Sequence, residues 1–347
     1  MNKALISCAG SGKTTTIINE TIDKKNKRIL ITTYTDENTI VIYNRITKKH
    51  GYIPSNIDIT PFFSFLLEHG VRPYQNYVYE KRIDSLAFIP QPRFIPENNI
   101  KHYITENNSI YRDNVSKFIL KLNAFTKGLI IKRLEKIYDY IYIDEFQDLS
   151  GYDLDFIELL LQSSINIFIV GDPRQSTFYT TNSRKNKKYK GKNIVNKIEE
   201  WKKKGIIDVE YNNDCHRCCQ KICDFSNVIF PDFEKMISRN MTHTSHDGVF
   251  IITSDKVDEY IKKYNPQLLR YSKNSSQRGL NFGKCKGQEF ERVLIFPTES
   301  IKKYLKTGDI NKLNSKEKFF VALTRAKQSV AIVYDGDSPL LNLKYYD

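Results

Sequence analysis

The residues best suited to chemistry lie near the start of the chain, in Ser7-Cys8-Ala9-Gly10-Ser11-Gly12-Lys13-Thr14-Thr15. Gly10 and Gly12 allow backbone conformations that a Cβ forbids. The turn can therefore wrap a polyphosphate in N–H groups while the following helix aims its first amides at the same anion. In such a turn the lysine, Lys13, reaches the β and γ oxygens and the Thr14 hydroxyl holds Mg²⁺. Ala9 through Thr15 are thus the expected ligands of a nucleoside triphosphate. The strict pattern has glycine where Ser7 stands, so the turn read alone also fits an ordinary polar loop. A second cluster closes the apolar run Tyr140–Ile143 with Asp144 and Glu145. Adjacent residues at a strand end point in different directions, which suits Asp144 to Mg²⁺ and Glu145 to orienting and deprotonating the attacking water. A solvated acidic turn is the plain alternative. A third cluster, Gly171 to Tyr179, follows the run Ile167–Val170; there Gln175 can sense the γ-phosphate while Phe178 faces another ligand.

These clusters need rigid elements behind them. Ala4-Leu5-Ile6 is a short apolar run before the phosphate turn, and Thr15 to Glu20 reads as an opening helix, the strand–loop–helix setting the motif requires. Further β-rich runs occur at Arg28–Thr33, Tyr140–Ile143, Ile167–Val170, Ile206–Tyr211, Gly248–Thr253, Arg292–Phe296 and Ser329–Tyr334. Short continuous apolar strands alternating with helical stretches argue for parallel sheets covered on both faces. The expected fold class is α/β with two parallel-sheet domains, 1–204 and 205–347. A proline-rich stretch breaks the rhythm and reads as an insertion at 51–128 in the first domain. Arg184–Lys192 looks like an exposed basic loop.

Composition narrows the class. The 347 residues are 40% hydrophobic and 27% charged, which is globular and long enough for about two domains. No apolar run approaches the ~18 residues of a membrane span, and the first residues do not read as a signal peptide, so a cytoplasmic protein is expected. A net charge of +14 points to a polyanionic partner, nucleic acid by default. Of six cysteines, Cys215, Cys218, Cys219 and Cys223 fall within nine residues. They fit either a zinc or iron–sulfur site or small buried and capping residues, and His243 and His246 form a similar weak pair.

Ala-Gly-Ser-Gly-Lys-Thr, Asp-Glu-Phe-Gln-Asp and Val-Gly-Asp-Pro-Arg-Gln-Ser occur in that order, and in this the chain resembles the superfamily 1A helicases of the UvrD/Rep/PcrA type. Thr32-Thr33-Tyr34-Thr35 resembles motif Ia and Ile59-Thr60-Pro61-Phe62-Phe63-Ser64-Phe65 motif Ib. Cys215-His216-Arg217-Cys218 is similar to motif IV, Gly283 to Phe290 to motif V and Val321 to Lys327 to motif VI. The resemblance implies two RecA-like domains with ATP in the cleft between them. It implies Arg217 and Arg325 as arginine fingers, Gln175 as the γ-phosphate sensor, and His216, Gly287 and Glu289 as nucleotide contacts. Without it, Arg217 and Arg325 are ordinary surface cations. Single strands are held by aromatic platforms and a basic groove. Tyr34, Phe62, Phe178 and Tyr179 are the expected platforms, and Thr33, Thr35 and Thr60 the phosphate contacts.

The chain departs from the family pattern in places. Only eight residues precede Ala9, so the adenine-reading glutamine motif is expected to be missing; His216 stands where the family has a stacking tyrosine; Thr180 and Thr181 replace the Trp and Arg that follow motif III. Little chain separates Leu268–Ser275 from Gly283, so a reduced 1B-like insertion and no 2B subdomain are expected. The resemblance implies an ATP-dependent 3′–5′ translocase or helicase on single-stranded DNA. The departures suit an alternative: an ATPase or nucleotide-sensing subunit working with a protein partner such as a nuclease, like the UvrD-like subunit of Gabija-type anti-phage systems. A P-loop ATPase acting on RNA or protein fits the motif order less well.

Overall fold

The structure, a computed structural model, describes residues 1–271, 278–341 and 343–346. The chain divides into two units. The first is Met1–Ile6, Lys13–Pro173 and Phe178–Glu210, and the second is Ser7–Gly12, Arg174–Thr177 and Tyr211–Asp347.

The first unit is built on strands β1 (Lys3–Ser7), β2 (Ile29–Thr33), β3 (Ile57–Pro61), β4 (Ser85–Ala87), β5 (Ser109–Tyr111), β6 (Tyr140–Ile143), β7 (Asn166–Gly171) and β8 (Asp208–Asn212). Its helices are α1 (Lys13–Asp23), α2 (Asp36–His50), α3 (Phe62–Phe65), α4 (Val115–Phe125), α5 (Leu129–Ile137), α6 (Tyr152–Leu161) and α7 (Ile194–Lys203). The main sheet runs β3-β2-β6-β7-β1-β8, and β3/β2, β2/β6, β6/β7 and β7/β1 are all parallel. Side-chain alternation splits each strand between two cores. Ala4, Ile6, Leu30, Ile141, Ile143, Ile167 and Ile169 face one, and Leu5, Ile29, Ile31, Tyr142, Phe168 and Val170 the other. Both faces are covered, which is why these strands read as unbroken apolar runs. The order puts the C-terminal ends of β2, β6, β7 and β1 side by side, where α/β sheets place their ligands.

The expected insertion is shorter than 51–128. β3 lies inside that range yet pairs with β2 from Ile57 to Pro61. Val115, Phe118, Ile119 and Leu122 of α4 pack into the same core as the sheet. The small parallel pair β4/β5 forms its own sheet, yet Ile110 of β5 reaches the same core. The basic run at 184–192 is exposed at Arg184, Lys185, Lys187, Lys188 and Lys192, as expected, while Tyr189 within it is buried and its hydroxyl donates to Glu200 on α7.

The second unit adds β9 (Asp214–Cys215), β10 (Ile237–Ser238), β11 (Gly248–Ile252), β12 (Gln267–Arg270), β13 (Leu280–Asn281), β14 (Phe290–Ile295), β15 (Ala326–Val333) and β16 (Lys344–Tyr345). Its helices are α8 (Gln220–Ile229), α9 (Val257–Tyr264), α10 (Glu299–Thr307) and α11 (Lys316–Leu323). Its sheet is parallel throughout, ordered β13-β12-β14-β15-β11-β16. Two parallel six-stranded sheets are the RecA-like α/β class expected. The expected absence of a 2B subdomain falls between Leu268 and Gly283, where residues 272–277 lie outside the described residues.

Candidate functional site

The phosphate turn leaves β1 and enters α1, whose first residue is Lys13. Gly10 and Gly12 hold φ of 72° and 84°, the left-handed region that glycine takes without strain. Nothing lies within 4 Å of where a Cβ on Gly12 would be, so the backbone there is open to an approaching ligand. The Ser11 hydroxyl is buried and makes no hydrogen bond among the described residues, a donor suited to a phosphate oxygen.

In the first unit the Thr14 hydroxyl donates to Asp144 Oδ2 at 3.1 Å, joining the start of α1 to the end of β6. Asp144 is 6% exposed. Burial raises its carboxyl to about 6, helped by the neighbouring Glu145 and opposed by Lys13, the Glu145 N–H and Thr14. A carboxylate held that far above its usual range needs a cation more than a proton donor. One hydroxyl and one carboxylate oxygen form a hard oxygen pair of the kind Mg²⁺ accepts, with phosphate and water supplying the remaining positions. Among the described residues no group of three or more His, Cys, Asp or Glu is arranged to hold a metal ion by itself. Mg²⁺ shared with a nucleotide fits that; a zinc site at the cysteines does not.

Glu145 has φ 56°, a left-handed backbone in a non-glycine residue. Such strain persists only where neighbours enforce it. Gln147 is one of those neighbours, and sequence reading passed over it. Its Nε2 donates to Glu145 Oε2 and its Oε1 accepts from the Asp172 N–H at 3.0 Å. The ends of β6 and β7 are thereby tied through one side chain. A Cβ on Gly171 would fall 2.4 Å from Gln147 Oε1, so glycine is needed beside it. The hint was available in the Asp-Glu-Phe-Gln-Asp spacing, where the glutamine follows the acid by two residues.

In the second unit the two arginines meet at one turn. Arg217 donates to the Thr324 carbonyl at 3.0 Å and pairs with Glu289 at 2.8 Å. Arg325, 2% exposed, donates to the Val321 carbonyl at 3.1 Å and to Gln175 Oε1 at 2.8 Å. Arg217, Glu289, Arg325 and Gln175 are thus joined around the end of α11. Gly287, with φ 85°, turns the chain just before Glu289. His216 is exposed, and its N–H donates to the Gly10 carbonyl at 2.9 Å. A Cβ on Gly10 would come within 2.7 Å of Arg217 Cβ, so this contact also depends on glycine.

The candidate nucleic-acid residues divide. Tyr34, at the end of β2, has its ring 6.4 Å from Phe178 and 5.9 Å from Phe63, and its hydroxyl donates to the Tyr179 carbonyl. Phe178 and Tyr179 are exposed, and the Lys190 ammonium lies 4.3 Å above the Tyr179 ring. Thr60 is half-buried, and Thr35 caps α2 by accepting from the Asn38 N–H. Phe62 and Thr33, expected at this surface, are core residues, each 1% exposed. β2 buries all five of its residues, and α3 turns Phe62 inward while the next ring, Phe63, reaches the exposed Phe88 at 6.2 Å. Among the described residues no helix is long and apolar enough to cross a membrane.

Comparison with known proteins agrees with this geometry. Residues 97–185 match the UvrD/REP helicase N-terminal domain. The Gabija protein GajB of Bacillus cereus (strain VD045) is 27% identical over 66% of this chain and 46% of its own length. The exonuclease/helicase subunit RexA of Lactococcus lactis subsp. cremoris is 26% identical over 61% and 17%, and the ATP-dependent DNA helicase PcrA of Leuconostoc citreum 27% over 29% and 12%. The chain therefore spans less than half the length of each of these relatives. An arterivirus nonstructural protein 10 helicase structure is similar at a TM-score of 0.48 and 14% identity over 95% of this chain and 60% of that one, too loose a likeness to bear on function. With its motifs in family order and this domain match over residues 97–185, the chain is similar to the UvrD-like helicases.

Proposed function

We propose that the chain hydrolyses ATP and uses the energy to move along single-stranded DNA in the 3′ to 5′ direction. The observation that carries this reading is the pairing of Thr14 with Asp144 at 3.1 Å beside a Glu145 held by Gln147. Backbone amides of the turn from Ala9 to Thr15 grip the phosphates, and Lys13 neutralises their β/γ oxygens. Mg²⁺, held by Thr14 and Asp144, would draw charge from the γ-phosphate. Glu145 orients the attacking water and takes its proton, in the position Gln147 fixes. Arg217 and Arg325 stabilise the charge that develops on the phosphoryl group, with Gln175 reporting its presence to Arg325. Tyr34, Phe178 and Tyr179 stack bases, and Lys190 meets the backbone charge. Each turnover makes and breaks the arginine contacts, which we couple to stepping. Turnover of ATP by the purified chain should rise on adding single-stranded DNA and far less with RNA. Equal turnover with and without DNA would overturn the motor reading.

A second reading is that the chain is the ATPase subunit of a complex containing a nuclease, in anti-phage defence. It is favoured by its likeness to GajB and to a subunit named for exonuclease and helicase together. Strand displacement by the purified chain, alone and with co-purifying proteins, separates the two. Unwinding alone supports the autonomous enzyme, and unwinding or cleavage that needs the partner supports the subunit.

A further inference from the structure

The aromatic run at the end of β2 does not stop where the sequence motifs do. Between ring centroids, Phe178 lies 6.4 Å from Tyr34, Tyr34 5.9 Å from Phe63, and Phe63 6.2 Å from Phe88. Four rings far apart in sequence are thereby joined within the first unit. Phe63, 8% exposed, is the link, and Phe88, 68% exposed, meets it edge to face at 86°. A lone exposed phenylalanine means little, but one that continues a row of rings open to solvent marks a contact surface.

Phe88 is also held in place. It follows β4 directly, and Leu86 on that strand and Ile110 on β5 pack into the main core of the unit. The exposed Ile89 extends the same apolar edge. Phe94, six residues on, is the contrast: at 99% exposed it rests on nothing.

Cations border the row. β4 and β5 pair as far as Ala87 with Tyr111, so Phe88 and Arg112 are the next residues on adjacent strands. Arg112 donates to Asp113 Oδ1 at 2.8 Å, the Asp113 carbonyl accepts from the Thr181 hydroxyl at 3.3 Å, and Lys190 donates to the Thr181 carbonyl at 3.4 Å. Burial lowers the Lys190 ammonium, and Lys187 and Arg112 add to this against the pull of Asp113. Cations that discourage one another's charge are relieved by an anion, even where one carboxylate already offsets part of it.

We propose that the small β4/β5 sheet belongs to the strand-binding surface, with Phe88 stacking a base beyond Tyr34 and Arg112 meeting a phosphate beside it. This rests on the reading that Tyr34 and Phe178 hold single-stranded DNA. Nucleic acid is the occupant that fits, because rings bordered by cations match bases bordered by phosphates, on a chain of net charge +14.

The test measures binding of a fluorescent oligo(dT) of about 16 nucleotides across a range of salt, with a thermal melt on each variant. Phe88→Ala should weaken binding by at least about fivefold with the salt dependence unchanged, because it removes a stack and no charge. Phe88→Trp should bind like the unaltered chain and Phe88→Leu like Phe88→Ala, since an aliphatic side chain has no π face to stack. Arg112→Gln should reduce the slope of log affinity against log salt by about 0.7, the value of one phosphate on a single strand. Phe94→Ala should bind normally. Full affinity in Phe88→Ala, with weak binding by Tyr34→Ala, would overturn the proposal, keep the DNA reading and leave the exposed ring to a protein partner. Full affinity in Phe88→Leu, or equal weakening by Phe94→Ala, would overturn it as well. If Tyr34→Ala and Phe88→Ala both bind normally, the DNA reading falls and the proposal falls with it.

Discussion

In the first unit, the acids assigned to hydrolysis are neighbours in sequence, and one strand end presents both. In the second, Arg217 and the Thr324 carbonyl that anchors it are 107 positions apart, and only folding brings them together. The acids are strained and desolvated: Glu145 has a positive φ and Asp144 is pushed up to about 6. The arginines are instead held by carbonyls and by Glu289 and Gln175. The first arrangement suits groups that must receive a cation and a water; the second suits cations held ready until a stronger anion competes for them. Reactivity is stored as backbone strain and burial in one unit, and as exchangeable hydrogen bonds in the other.

If the arginines act on the phosphoryl group, Arg325→Ala or Arg217→Ala should lower kcat by about 10³-fold or more. Arg→Lys should rescue little, because a single ammonium cannot reproduce the planar fork. Steady-state kinetics with a thermal melt on each variant checks this, and near-normal kcat in a folded Arg325→Ala protein would undo the contrast.

The two units should also respond oppositely to pH. Asp153, buried in the first unit with the Ser116 hydroxyl donating to it, is raised to about 6 by burial. An acid raised on folding contributes stability that is full below its unfolded value and is lost as pH rises through 6. His246, buried in the second unit between the rings of Phe250 and Tyr264 and bonded to the Tyr260 hydroxyl, is lowered to about 4 by burial. Its contribution is full above the unfolded histidine value and is lost as pH falls toward 4. Each slope integrates to at most about 3 kcal/mol. Denaturant melts between pH 4 and 7 should therefore lose a rise of stability with pH in His246→Phe and a fall of stability with pH in Asp153→Asn, both across roughly pH 4 to 6.

Gln147→Ala should lower kcat by roughly 10- to 100-fold with KM little changed, since it frees the side chain that holds Glu145 and touches no nucleotide atom. An equal rise in KM would instead mean that it supports binding. Tyr34→Ala and Phe178→Ala should each weaken single-stranded DNA binding by about 1–3 kcal/mol. Phe62→Ala should show its main effect on stability, because that ring is in the core.

Much of the fold was legible because parallel strands covered on both faces are continuous apolar runs. β3 escaped because Ile57-Asp-Ile-Thr-Pro61 alternates and ends in proline at a sheet edge. The phosphate turn and acid pair were legible for the same local reason: their chemistry is contained in a few consecutive residues. Gln147 was not, since its role comes from reaching across to Asp172 on the neighbouring strand. Phe62 shows the limit at single-residue scale, since an aromatic in the right motif was buried in the core with its neighbour Phe63.

The most direct measurement is nucleotide affinity and ATP turnover of Glu145→Gln in the presence of single-stranded DNA. ATP should bind as tightly as to the unaltered chain while turnover falls by at least about 10²-fold, the loss expected when the group that activates water cannot take its proton. Turnover within a few-fold of the unaltered chain would contradict the assignment of Glu145, and with it the claim that the strand end at Asp144 and Glu145 is where ATP is cleaved.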